Sequence, residues 1–260
     1  MSWNRHRLAT LVVPLLLGLG QPAQPQPATP VTETLNYRIR VGPMTAGQAT
    51  IAARPVALAD GPPAVEIRLS VRSSGLLSRL YPVRDRITSW AAQDDLRTLL
   101  LDRRIREGRR RLVDHWRVDH ARRTARERGG ARVPVPAGVH DILSALWRLR
   151  TADLAAADTL SLPLLLGSRT ARMFVAAGSA TDVEVPAGRF RCVPLCPRLG
   201  EPAEFDGGSP VLIECSLGPQ RWPVRLRLPL PVVGSVSVEL ETASVGNGGE
   251  IREDGGKTVE

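Results

Sequence analysis

Apolar and polar residues alternate along most of this chain. In "AVEIRLSVR", Val65, Ile67, Leu69 and Val71 fall on one side, and Glu66, Arg68, Ser70 and Arg72 on the other. Successive side chains of a strand point to opposite faces, so this pattern predicts a strand with one face buried. "PVRLRLPL" repeats it, setting Val224, Leu226, Leu228 and Leu230 against Arg225 and Arg227. "GSVSVELE" sets Val236, Val238 and Leu240 against Ser237 and Glu239. Turn residues separate the runs: Gly42-Pro43, Gly61-Pro62-Pro63, Gly129-Gly130, Pro186-Ala187-Gly188 and Gly207-Gly208. Many short strands at this spacing predict a mainly β sandwich or barrel.

Two segments break the period. "SGLLSRLYP" predicts a short helix near 75–81 that ends before Pro82. "VHDILSALWRLRT" predicts a longer one at about 140–151, with Ile142, Leu143, Leu146 and Leu149 on one side and Trp147 adjoining. Asp141 in its first turn, and Arg148 and Arg150 in its last, suit the helix dipole. This helix divides the strand-rich halves, so one domain with a central crossover and two sub-halves both remain open. The organisation expected is a signal peptide over 1–20, a Pro-rich leader over 21–32, a β-rich domain over 33–243 and a disordered, Gly-rich tail over 244–260.

The stretch Leu101 to Gly130 carries eleven arginines and no lysine. As a helix it would stripe Leu101, Ile105, Leu112 and Trp116 together. As a hairpin it would turn at Glu107-Gly108. Glycine in mid-helix costs about 1 kcal/mol against alanine, which favours the hairpin. Five acids, Asp102, Glu107, Asp114, Asp119 and Glu127, are interleaved and available for cross-strand pairing.

Composition qualifies these arginines. The 260-residue chain has a formal charge of +9, yet only Lys257 of its 35 basic residues is lysine. Arginine richness alongside Ala, Gly, Pro and Leu reads first as a compositional bias. The amino terminus has the pattern of export: Arg5 and Arg7, an apolar run from Leu8 to Gly20 too short for a membrane span, and the small residues Gly18 and Gly20. The expected location is the periplasm, with cleavage near Gly20, no membrane span in the mature chain and no nucleic-acid partner.

Cys192, Cys196 and Cys215 are the three cysteines. Cys192 and Cys196 in one strand would sit roughly 13 Å apart, beyond bridging distance. A bridge from Cys215 to either, or three buried thiols, remain the alternatives.

Catalytic patterns are scarce. The chain lacks GxSxG, HExxH and a phosphate loop. In "DHWRVDH", His115 and His120 differ by five and face opposite sides of a strand, which spoils a shared metal site. Asp94-Asp95 reads as a turn, and Glu201, Glu204 and Asp206 as a Gly/Pro loop. No cofactor, metal ligand or catalytic residue is assigned, and the sequence leans against an enzyme.

In order along the chain, "LNYRIRVGPMTAGQATI", "YPVRDRITSW", "LDRRIREGRRRL", "HDILSALWRLR", "VEVPAGRFRCVPLCPRL" and "PQRWPVRLRLPLPVVGSVSVELE" resemble a bacterial exported family, domain of unknown function 3108, from about Glu33 to Glu241. The resemblance implies a strongly curved antiparallel sheet, similar to the incomplete barrels of periplasmic lipoprotein carriers. It favours the hairpin and brings no catalytic residue. The chain departs from the family at "RRR" and "ARRTARERGG", where relatives carry acidic or aromatic residues.

The function expected is non-enzymatic: a curved sheet clasping an apolar or amphipathic envelope ligand, or docking an envelope partner. Val65, Ile67, Leu69, Leu226, Leu228 and Val238 would line the interior with Trp90, unless they are packed core. The alternatives are an envelope hydrolase or polysaccharide-processing enzyme, and a module binding polyanions such as lipopolysaccharide through Arg103, Arg104, Arg106, Arg109, Arg110 and Arg111.

Overall fold

The computed structural model describes residues 32–59, 61–152, 159–200, 211–230 and 234–246. The expected signal peptide, nearly all of the leader and most of the expected tail lie outside them. The first half runs β1 (Thr32–Val41), β2 (Met44–Val56), β3 (Ala64–Ser73), α1 (Gly75–Leu80), β4 (Arg84–Ala92), β5 (Thr98–Glu107), β6 (Arg110–Asp119), β7 (Thr124–Glu127) and β8 (Arg132–Pro134). Helix α2 (Ile142–Thr151) follows. The second half runs β9 (Thr159–Leu165), β10 (Thr170–Ala177), β11 (Thr181–Val185), β12 (Gly188–Leu199), β13 (Leu212–Ser216), β14 (Pro223–Leu230) and β15 (Gly234–Gly246).

All the described strands join one antiparallel sheet in the order β8-β7-β6-β5-β4-β3-β2-β1-β15-β14-β13-β12-β10-β9, with β11 on β12. The first eight strands meander outward, and the last strand returns to pair with the first. Ser244, Val245 and Gly246, expected in the tail, are strand, because they oppose Thr34, Glu33 and Thr32. The sheet is not closed by strand pairing. The segment before α2 instead bridges β9, one edge of the sheet, to the start of β5. Thr98 N–H donates to Val139 O at 2.9 Å, His140 N–H to Pro163 O at 2.9 Å and Leu165 N–H to His140 O at 2.7 Å. Beneath this seam Leu165 of β9 packs with Leu101, Trp116 and Val118. The result is an incomplete barrel, the curved sheet expected.

The period-two runs form the predicted strands, with Val65 and Ile67 buried and Arg68 and Arg72 exposed. The arginine stretch is a hairpin, β5–β6, in which Glu107 opposes Arg110. Its turn is Gly108-Arg109, and Gly108 has φ of +53°, the left-handed region that costs other residues about 1–2 kcal/mol.

Helix α2 starts where Asp141 caps it: the carboxylate Oδ1 accepts from Leu143 N at 2.8 Å and Ser144 N at 3.2 Å. Ser144 completes a capping box. Leu143, Leu146, Trp147 and Leu149 are buried as expected, whereas Ile142, in the first turn, is 55% exposed. The helix packs inside the sheet and shares one core with residues of both halves, from Leu35 and Ile67 to Val175 and Leu240. No helix among the described residues is long and apolar enough to cross a membrane.

Candidate functional site

Antiparallel pairing sends connections alternately to the two ends of the barrel. One end holds the β2–β3, β4–β5 and β13–β14 connections, and α2 fills it. There Arg150, 9% exposed at its side chain, donates to both carboxylate oxygens of Glu33 and to the carbonyls of Gln220 at 2.8 Å and Arg221 at 3.2 Å. Its guanidinium lies 4.6 Å above the Trp147 ring, and Trp222 Nε1 donates to Glu33 Oε2 at 3.3 Å. Every charge in the cluster is matched, as burial demands. Around Asp141, Ser89 Oγ donates to Oδ2 at 2.5 Å and Thr98 Oγ1 at 2.7 Å. These residues tie the helix to β4 and β5. The gap left beside α2, lined by Leu149, Leu195 and Cys215 among others, is about 30 Å³, room for about one water. A shallow depression of about 350 Å³ at the β2–β3 turn, lined by Pro55, Val56, Ala57, Gly61 and Pro63, lies at this end too and carries no polar side chain.

The opposite end, the mouth, gathers the β1–β2 turn, α1, the β5–β6 turn and the paired ends of β14 and β15 at Leu230 and Gly234. Inward-facing positions divide by burial along this axis. Leu35, Ile67 and Leu240 are 0% exposed beside α2. Ile39, Leu69, Val71, Ile87, Leu226 and Val238, nearer the mouth, are half-buried against the margin of the core. Of the proposed lining, therefore, Val65 and Ile67 belong to the packed end. Leu69, Leu226 and Val238 border the mouth, and so does Leu228, half-buried opposite Val236. Trp90 does not join them. It opposes Glu66 and Leu100 on the outward face, as alternation from the inward Ser89 requires. The mouth's rim exposes Met44 (63%), Leu80 (75%) and Tyr81 (49%).

The hairpin arginines divide between two faces. Arg103 points inward with Leu101 and Ile105. Its Nε donates to Asp114 Oδ1 at 2.8 Å, and its guanidinium reaches Gly167 in the β9–β10 turn, where a side chain would collide with it. Arg104, Arg106 and Arg111 point outward and are exposed. Arg109 sits in the turn, and Arg110 pairs with Glu107 at 3.2 Å. Sequence alternation alone separates Arg103 from Arg104 and Arg106.

Chemistry of other kinds is sparse among the described residues. His115 Nδ1 lies 4.0 Å from Asp102 on the outward face, His120 Nε2 bonds Thr98 O at 2.8 Å, and His140 Nδ1 bonds Leu96 O at 2.9 Å. The three do not converge. Burial holds the His140 imidazole below its ordinary value, so it is neutral and structural. Asp94 and Asp95 pair with Arg97 at 3.2 and 2.8 Å, while Glu201, Glu204 and Asp206 lie outside the described residues. No group of three metal-ligating side chains occurs among those described. The three cysteines are free thiols. Burial pushes Cys192 up to about 11 and Cys215 up to about 12, the opposite of an activated thiolate.

No curated protein sequence matches the chain. A crystal structure of a β-barrel-like protein of domain of unknown function DUF1849 from Brucella abortus is similar to it, with TM-score 0.55 and 10% identity over 84% of this chain and 99% of that one. At that identity the likeness shows the fold alone. A DUF1089 family protein from Pseudomonas aeruginosa aligns with TM-score 0.42 and 12% identity over 73% of this chain and 91% of that one. The sequence profile of the DUF3108 family, described as a protein of unknown function, matches residues 36–241, and the chain belongs to that family.

Proposed function

We propose that this is an exported, non-enzymatic protein whose mouth holds an apolar or amphipathic ligand, such as the acyl chain of an envelope lipid. The observation that carries this reading is the asymmetry of the interior. The same inward apolar stripe is sealed by α2 at one end and half-exposed at the other. Half-exposed apolar side chains gain free energy from an apolar occupant, at about 25 cal/mol per Å² covered. The exposed Met44, Leu80 and Tyr81 on the rim suit entry from a lipid phase. The inward Arg103–Asp114 pair offers a polar head group a partner. The amino-terminal pattern supports export.

The test is titration of the chain with cis-parinaric acid, a fluorescent fatty acid. Wild type is expected to bind and to enhance its emission. Leu69→Glu and Val238→Glu, which put a charge into the mouth, are expected to abolish binding while circular dichroism stays native. Ile142→Gln, on the exposed side of α2, is expected to bind as wild type. Absence of binding, or equal binding by all four chains, would overturn the reading.

A further inference from the structure

The outward face of β3–β8 sets arginine directly against arginine five times. Arg72 opposes Arg84, Arg86 opposes Arg104 and Arg106 opposes Arg111. Arg117 opposes Arg126, which in turn opposes Arg132. Directly opposed residues share a face, and like charges in such pairs destabilise the sheet. All nine arginines are exposed. Among the described residues, only Arg104 of the nine brings its guanidinium within 4.0 Å of a carboxylate, Asp102 at 3.7 Å; Arg106 meets Asp85 through its backbone N–H alone, at 2.8 Å.

Arginine-rich composition does not explain this, because the other half of the sheet arranges its charges differently. There Glu214 opposes Arg225, Arg225 opposes Glu239, and Glu239 opposes Arg38. Glu214 is bonded by Arg225 at 2.5 and 2.9 Å and by Arg227 at 3.1 Å. Burial alone would raise the Glu214 carboxyl, but these two guanidiniums hold it below the ordinary carboxylate value. One register neutralises its arginines and the other concentrates them.

We propose that the β3–β8 face docks on a bilayer surface bearing anionic phospholipid headgroups, whose phosphates supply the charges that the register withholds. The inference is independent of the mouth. Strands lie about 4.8 Å apart and successive outward positions about 7 Å apart, so the nine arginines, spread over six strands, form a two-dimensional array rather than a pocket for one phosphate. Val113, opposite Arg104 on this face and 75% exposed, stands among the guanidiniums where an interface accepts an apolar side chain. A single-stranded nucleic acid would call for exposed stacking aromatics, whereas Trp90, the aromatic on this face, is half-buried.

The test is co-sedimentation of the full chain with vesicles of equal parts phosphatidylglycerol and phosphatidylcholine, against phosphatidylcholine alone, at low and high salt. Wild type is expected to pellet more with the anionic vesicles than with phosphatidylcholine alone, and that excess is expected to shrink at high salt. Arg86→Glu removes a positive charge and adds a negative one. At about fivefold per charge near a lipid surface, it is expected to weaken partitioning about 25-fold. The same substitution places Glu opposite Arg104, so its thermal midpoint is expected to equal or exceed wild type. Weaker docking with undiminished stability separates a binding role from a structural one. The amino-terminal segment is common to both chains and cancels in the comparison. Unchanged sedimentation of Arg86→Glu would overturn the proposal, as would a short DNA duplex binding wild type more tightly than the anionic vesicles do.

Discussion

Replacing Arg150 with methionine tests how α2 is held in the barrel. Methionine keeps most of the aliphatic stem but removes the guanidinium. Glu33, 5% exposed at its side chain, would keep only the Trp222 Nε1 donor at 3.3 Å. The carbonyls of Gln220 and Arg221 would lose their donors, and Trp147 its cation. Stranding one member of a buried pair costs about 3–5 kcal/mol. With a urea m-value of about 2–3 kcal/mol/M, a loss of ~4 kcal/mol lowers the midpoint by about 1.5 M. The double variant Glu33→Met/Arg150→Met removes the stranded charge and should recover most of the loss, remaining about 1–2 kcal/mol below wild type for the hydrogen bonds lost with the guanidinium and carboxylate. The assay is urea unfolding followed by tryptophan fluorescence for the three chains. A midpoint for Arg150→Met equal to wild type, or a double variant weaker than the single, would refute the claim that this pair anchors the helix.

Three further outcomes are expected. Gly108→Ala should cost about 1–2 kcal/mol from its left-handed backbone, and a new Cβ would sit 2.6 Å from the Tyr81 ring; a thermal midpoint unchanged from wild type would contradict this. Asp141→Ala strips the α2 cap and leaves Ser89 and Thr98 hydroxyls without their acceptor, a loss of about 3 kcal/mol measurable by the same urea unfolding. His140 is held below its ordinary value by burial, so the unfolded chain takes up its proton first. Stability should therefore decline as pH falls below about 6.5. His140→Gln should flatten that slope, and an unchanged slope in urea midpoints measured across pH would refute the assignment.

Much of what a single strand or helix carries is legible in the sequence. The faces of β3, β14 and β15 follow from alternation alone. Gly108 marks its turn because glycine enters that backbone region at the least cost. The stripe of α2 was legible except at Ile142, whose place in the first turn leaves it in solvent. The same rule places two further residues. Alternation puts Arg103 with Leu101 rather than with Arg104, and Trp90 opposite to Ser89. Other features rest on pairs remote in sequence. Glu33 and Arg150 lie 117 residues apart, and nothing near either signals the other. Arg72 and Arg84 look like ordinary polar positions until registry sets them face to face. Which inward residues α2 covers was likewise invisible, because it depends on which end of the barrel the helix enters.

On the proposed function, the mouth holds an apolar molecule in the protein's own setting. The most direct test is mass spectrometry of the small molecules released on denaturing the chain after native purification from the envelope, with Val238→Glu purified alongside. A lipid or other amphiphile is expected to be released from wild type in near-stoichiometric amount and to be absent from Val238→Glu. A wild-type protein that releases nothing apolar, or a variant that releases the same molecule in the same amount, would contradict it.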